Sequence, residues 1–370
     1  MPKRSFRIVA GVLAVPLLIG AAAIVRAHSP AKGSSASADN ATTPGTADGV
    51  PGPATNADAL GRLLAVSTDG AGAGLPTYTA AGTTGSSSVS SWIKSKYPKQ
   101  AAATQTSDPA TKYWALLIGL NDYAGSTTDN VGSRQDAQTL QSLLLKLGWR
   151  QDHIILITDR DGTAAHIIDG IRWLASKTNS SSTAVFHYSG HEDWQTSAAD
   201  HDDSREIEIW ASDNRMITEV AIGKEFNRIG AGRMWIDFAT CRAAGFDEPG
   251  MVKRGRVLTF SSPETEYSYE DPKLHHSVFG WFMIYDAMYE KYGDANHDGT
   301  VTVEEAFAYA KPRVYSYTDH AQDPVMVDDL SGSLDLRVPP PPRKPAPQSS
   351  SGTNPTPSST APKTCVVICF

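Results

Sequence analysis

The chain has 370 residues and a formal net charge of -7, with its large apolar, aromatic and charged residues concentrated in the middle and both ends rich in Ala, Ser, Thr, Gly and Pro. Length alone allows two or three domains, but this distribution describes one folded domain between two tails. The acidic balance gives no electrostatic footing for nucleic acid or an anionic membrane surface, both of which call for basic patches.

The N-terminus carries Lys3, Arg4 and Arg7 and then an uncharged apolar run from Ile8 to Val25. This is the pattern of an export signal, and small residues at Val25 and Ala27 allow cleavage after Ala27. The run is also just long enough to stay in a bilayer, so residues 1–27 are a signal peptide or a membrane anchor. Either outcome puts the rest of the chain outside the cytoplasm, secreted or attached to the cell envelope through this segment. Residues 28–110 hold too few large apolar side chains to offset the entropy of folding, and are expected to be a flexible linker or propeptide. Two apolar islands interrupt it, Leu60 to Val66 and Trp92 to Tyr97.

Residues 111–338 alternate short apolar runs with amphipathic stretches. Strands are expected at Tyr113 to Leu120, His153 to Thr158, Thr183 to Tyr188, Arg233 to Ala239 and Arg256 to Ser261, each apolar enough to be buried on both faces. Helices are expected at Ser133 to Leu147, Thr163 to Lys177, Glu219 to Ile229 and Ser277 to Tyr292. Such alternation predicts a three-layer α/β fold, a mostly parallel sheet with helices on both faces. Loops after the carboxyl ends of its strands share one rim, where such sheets place their sites.

Two of those strands end in reactive side chains. One breaks into Ser189, Gly190 and His191, the other into Thr240 and Cys241. If they are parallel neighbours, an imidazole and a thiol emerge side by side. The imidazole can then generate a thiolate and later protonate a leaving amine. The backbone N–H groups of Gly190 and Cys241 are candidate donors to a developing oxyanion.

Further along, Asp294-Ala295-Asn296-His297-Asp298-Gly299-Thr300-Val301-Thr302-Val303-Glu304-Glu305 fills every position of a twelve-residue calcium loop. Asp294, Asn296 and Asp298 supply side-chain oxygens, Gly299 the sharp turn, Thr300 its carbonyl, Thr302 a water-mediated contact and Glu305 a bidentate carboxylate. Ca2+ is therefore the expected cofactor. No glycine-rich phosphate loop follows a strand, so no nucleotide or other organic cofactor is expected. His201, Asp202 and Asp203 fit a solvated loop. The stiff run Pro339 to Pro342 opens a Pro/Ser/Thr-rich tail over 339–370, in which Cys365 and Cys369 can pair outside the cell and leave Cys241 as a free thiol.

Tyr188-Ser189-Gly190-His191 and Asp237-Phe238-Ala239-Thr240-Cys241-Arg242-Ala243-Ala244-Gly245 resemble the histidine and cysteine motifs of metacaspases and bacterial caspase-like peptidases. Ala115 to Asn121, Gln135 to Ala137 and Thr259 to Glu270 resemble further family segments in the same order, so the resemblance spans the folded region and neither tail. It implies a caspase-like fold and a cysteine-type endopeptidase acting on protein or peptide substrates through Cys241 and His191. It further implies a pocket for a basic side chain formed by Asp136, Ser189 and the residue at 239. Two positions depart from the family pattern. Glu192 stands where a glycine usually follows the histidine, and Ala239 where an acid usually stands two before the cysteine. The alternative these departures leave open is a catalytically silent, calcium-binding interaction module of the cell envelope.

Overall fold

The computed structural model describes residues 64–65, 74–79, 89–196 and 205–341. The signal or anchor, most of the linker, His201 to Asp203 and the tail with Cys365 and Cys369 lie outside the described residues. Among the described residues no helix is long and apolar enough to cross a membrane.

The central sheet has six strands in the order β12-β9-β8-β4-β2-β3. These are β2 (Tyr113–Gly119), β3 (Ile154–Thr158), β4 (Thr183–Ser189), β8 (Arg233–Ala239), β9 (Arg256–Phe260) and β12 (Val325–Asp328). The first five run parallel, and β12 closes one edge antiparallel to β9. Each central strand is apolar on both faces because both are covered. Trp114, Leu116 and Ile118 of β2 join Phe186, Ile236 and Phe238 on one side, under α4 (Ala164–Lys177) and α5 (Glu219–Phe226). Ala115, Leu117, Val185 and Trp235 face the other way, under α3 (Ser133–Lys146), α6 (Val278–Gly280) with the π-helix Trp281–Tyr289 that continues it, and α7 (Val303–Tyr317). The expected three-layer α/β architecture is the one observed.

The second face of the sheet also carries a polar row. His187 Nδ1 donates to Asp237 Oδ2 at 2.7 Å, Thr259 Oγ1 donates to Asp237 Oδ1, and Trp235 Nε1 donates to Thr259 Oγ1 at 2.7 Å. These groups are fully buried, and their mutual hydrogen bonds are what make that burial tolerable. Asp237 is thereby committed to the interior, two residues below Ala239.

Three features depart from the expected elements. After β4 the chain forms a separate antiparallel sheet, β5 (Glu192–Thr196), β6 (Arg205–Trp210) and β7 (Met216–Thr218). After β9, β10 (Tyr269–Asp271) pairs with β11 (His276–Ser277) on one edge and with β1 (Leu64–Ala65) on the other. The third departure is in the linker, where α1 (Ser91–Lys96) and α2 (Pro98–Ala102) form and pack on the domain. Ile93 is completely buried, Trp92 stacks on His166 with ring centroids 3.8 Å apart, and Tyr97 Oη donates to Leu156 O at 2.6 Å. Lys177 Nζ binds the carbonyls of Ala101 and Ala103 at 2.8 and 2.7 Å. Averaged composition hides this segment, because a few well-placed large residues among many small ones suffice to dock two short helices.

Ile93→Ala should lower the unfolding free energy by about 2–4 kcal/mol, as expected for truncating a fully buried aliphatic side chain. Urea denaturation of the full chain measures it. An unchanged midpoint would mean that this segment lies on the domain without contributing to its core.

Candidate active site

The register of β4 against β8 pairs Ser189 with Ala239, so His191 and Cys241 each stand two residues beyond the last paired position, on the carboxyl rim. Beyond the ladder the two turns stay joined. Gly190 N donates to Ala239 O at 3.4 Å, and Thr240 Oγ1 donates to Gly190 O at 2.7 Å. The first of these bonds occupies the Gly190 N–H that sequence reasoning assigns to an oxyanion. Glycine is needed at 190 for space instead, since a β-carbon there would lie 2.7 and 2.8 Å from the hydroxyls of Tyr188 and Tyr123.

Those two hydroxyls hold the histidine. His191 N donates to Tyr123 Oη at 2.8 Å, and Tyr188 Oη donates to His191 O at 2.6 Å. His191 Nε2 lies 2.7 Å from Thr128 O. A carbonyl only accepts, so Nε2 is the donor in this contact. These bonds fix the orientation of the ring.

Cys241 is fully buried. Its Sγ accepts from Ser268 N at 3.1 Å and faces Ser268 O at 3.5 Å, so the segment entering β10 supplies a backbone donor to the sulfur. Thr240 is fixed by Ser261, whose Oγ accepts from Thr240 N at 3.0 Å and donates to Thr240 O at 2.7 Å. Glu192, the departure beside the histidine, turns inward and pairs with Arg242 at 2.7 Å. Neither this pair nor the roles of Tyr123, Thr128 and Ser268 were legible in the sequence.

Ser189 stands between the other two residues expected in a pocket, bonded to Asp136 and paired with Ala239. Ser189 Oγ donates to Asp136 Oδ2 at 2.9 Å, Ser277 N donates to Asp136 Oδ1 at 3.2 Å, and all three residues are fully buried. Gly280 makes room for the carboxylate, because a β-carbon at 280 would meet Asp136 Oδ1 at 2.2 Å. Burial pushes the Asp136 carboxyl well above the usual range against the hydrogen bonds from Ser277 and Ser189, and the charge of Glu270 pushes the same way. Glu270 is itself buried. It accepts from Val131 N, Gly132 N and Ser133 Oγ at 2.6, 2.9 and 3.0 Å, a carboxylate at the positive end of α3.

The loop from Asp294 to Glu305 turns at Gly299, whose φ is 84°. Asp294 accepts from Asp298 N and Gly299 N at 3.1 and 2.9 Å, Asn296 Oδ1 from Asp298 N at 2.8 Å, and Asp298 Oδ1 from Thr300 N at 2.8 Å. Glu305 is engaged in a capping box with Thr302 at the start of α7, and its Oε1 accepts from Asn296 Nδ2 at 2.8 Å. Among the described residues no three His, Cys, Asp or Glu side chains stand close enough to hold a metal. Asp294, Asn296 and Asp298 thus turn their oxygens onto the loop's own backbone, and Glu305 is spent on the helix cap.

Residues 112–334 match the family model of the caspase domain. Over 83 residues the chain is 34% identical to Metacaspase-1 of Lodderomyces elongisporus and 35% identical to Metacaspase-1 of Candida albicans, each match covering 21% of this chain and 18% of the relative. Metacaspase-1 of Schizosaccharomyces pombe is 32% identical over 84 residues, 21% of this chain and 20% of that one. The chain thus aligns with about a fifth of the length of these curated relatives.

The hairpin that follows His191 carries an acidic face, with Asp193 opposite Glu208 and Gln195 opposite Glu206. Burial first, then the charges of Glu206 and Asp193, push the Glu208 carboxyl up to about 7. A carboxyl whose folded value is raised contributes stability that is complete below its unfolded value of about 4.3 and is lost as pH climbs through the folded value. Glu208→Gln should match the wild type near pH 4 and exceed it by up to about 3 kcal/mol above pH 8. Urea unfolding at the two pH values checks this, and an equal gain at both would assign the effect to something other than titration.

Proposed function

The chain belongs to the caspase-domain family, and on that premise we propose that it is a cysteine-type endopeptidase with Cys241 as nucleophile and His191 as general base and then general acid. The observation that carries this reading is the Ser189–Ala239 register of β4 and β8, which sets the two residues on one rim. His191 Nδ1 takes the thiol proton, and the thiolate adds to the scissile carbonyl. The imidazolium returns that proton to the departing amine, leaving a thioester. A water molecule deprotonated by the imidazole then hydrolyses the thioester, releasing the carboxylic acid and restoring the thiol. Ser268 N–H, already on the sulfur, favours the thiolate.

For the oxyanion we retain Cys241 N–H and replace Gly190 with Glu192 as the second donor. Trp210 N donates to His191 O, and the alternation of an antiparallel ladder then turns the N–H of Glu192, the next residue, away from β6. A basic side chain before the scissile bond fits the Asp136 site, where a cation would favour the charged form of a carboxyl that burial pushes up. A place outside the cytoplasm rests on residues 1–27 alone.

Cys241→Ala and His191→Ala should each abolish turnover of peptides bearing Lys or Arg before the cleaved bond, and the double variant should lose no more, since the residues act as a unit. A peptide-library profile of the wild type and Ala239→Asp completes the test, with the basic preference stronger in the variant. Wild-type turnover in Cys241→Ala would sink the mechanism. A preference for Asp or an apolar residue would sink only the pocket assignment, and failure of the wild type to react with a thiol-directed peptide probe would favour the silent binding module.

We also propose that the Asp294–Glu305 loop takes Ca2+, with Asp294, Asn296, Asp298, the Thr300 carbonyl, Thr302 through water, and Glu305 as ligands. The exposed oxygens already turned into the loop support this reading, and Glu305 would have to leave its cap to ligate. Binding to the folded state at 100 times the dissociation constant adds about 2.7 kcal/mol. Calcium should therefore raise the melting temperature of the wild type but raise that of Glu305→Gln less. Absence of calcium heat in titration calorimetry would leave the segment as a capped acidic turn.

A further inference from the structure

Glu192 and Arg242 each directly follow one of the two proposed reacting residues, and they are joined to each other. Arg242 Nη1 lies 2.7 Å from Glu192 Oε1, the carboxylate side chain fully buried and the arginine side chain 10% exposed. Both partners are anchored on their far sides. Glu192 opens β5 and pairs with Ile209 of β6. Arg242 donates its N–H to Glu266 O at 2.9 Å and accepts from Gly245 N at 2.9 Å, and its guanidinium lies 5.1 Å from the Tyr267 ring centroid. Its backbone is left-handed, with φ of 48°, a conformation a bulky residue keeps only where its surroundings enforce it.

We propose that the Glu192–Arg242 pair is a positioning device that holds the His191 and Cys241 turns at the separation proton transfer requires; this rests on the reading of those two residues as the reacting pair. The β4–β8 ladder ends at Ser189 and Ala239, the bonds of Gly190 and Thr240 carry it one residue further, and past them the chains part, one into β5 and the other into a tight turn over Ala243–Phe246. The ion pair spans the point of divergence. Loss of either residue removes the side-chain link between the two turns and weakens the compensation of a buried charge, so the adjoining turn shifts. The motion is delivered to the neighbouring Cys241 or His191. Glycine, the usual residue at the position of Glu192 in the resemblance described above, has no side chain with which to make this link.

The test uses the full chain and an Arg-containing peptide amide, comparing wild type, Cys241→Ala, Glu192→Gln, Arg242→Met and the double variant Glu192→Gln/Arg242→Met. The readouts are kcat per titratable thiol, KM, the rate of alkylation by iodoacetamide and the melting temperature. Each single variant should lose about tenfold to a hundredfold in kcat with KM little changed, the scale expected for a small misplacement of reacting groups. Alkylation of Cys241 should slow in parallel, and the double variant should fall no further than the worse single, because the two effects are coupled. Wild-type kcat per thiol in Glu192→Gln, whatever its melting temperature, overturns the proposal and leaves the pair structural. If Glu192→Gln does not fold, Glu192→Asp decides, since the shorter acid cannot keep both the contact and the turns in place: an intermediate kcat supports positioning and a wild-type kcat refutes it. Turnover surviving in Cys241→Ala overturns the underlying assignment instead, which separates the two failures.

Discussion

The parallel pairing of β4 with β8 is the constraint on which the site depends. One register, Ser189 against Ala239, decides which residues reach the rim together, and a slip of one position would turn each side chain to the opposite face. The register is held from below by the apolar sides of both strands and by the buried His187–Asp237 contact. It is continued above by the bonds from Gly190 to Ala239 and from Thr240 to Gly190. An acid at 237 and a small residue at 239 make opposite demands on the same face. The lower position joins a closed polar network, while the upper leaves room beside Asp136 and Ser189.

The rim buries several acidic side chains, each against hydrogen-bond donors. Asp136 is satisfied by two serines, Glu270 by the N-terminal groups of α3, and Glu192 by Arg242. Such arrangements add little net stability relative to apolar packing of the same volume, but removing one member is costly. They therefore fix geometry more than they strengthen the fold. Burial holds the Asp136 carboxyl well above the usual range, so ionising it in place is unfavourable unless a positive charge stands beside it.

How much could be read from the sequence follows from the range of each interaction. The span Arg233 to Ala239 is the same in sequence and structure, because an apolar run bounded by a glycine turn and a reactive loop marks its own ends. The placing of His191 and Cys241 just past two neighbouring strand ends was legible for the same reason. The alternation Glu206-Ile207-Glu208-Ile209 is a strand signal present in the sequence, and only its place among polar loop residues concealed it. Trp92, Ile93 and Tyr97 were visible as an island but not as part of the core, since docking depends on β3 and α4, which lie far along the chain. The Glu192–Arg242 pair had no local pattern at all. Two charges fifty positions apart become neighbours only after the sheet order is known.

Distant parts of the chain also converge on β10, and this ties the site to the rest of the molecule. Ser268 just before it binds the Cys241 sulfur, Glu270 within it caps α3 and lies near Asp136, and Asp271 accepts from Tyr317 of α7 at 2.8 Å. Its two edges are already used, by β11 on one side and by Leu64–Ala65 on the other. A strand edge can satisfy only one partner at a time. Among the described residues both edges of β10 are therefore taken by the chain itself, and this fixes the backbone of Ser268 against the Cys241 sulfur.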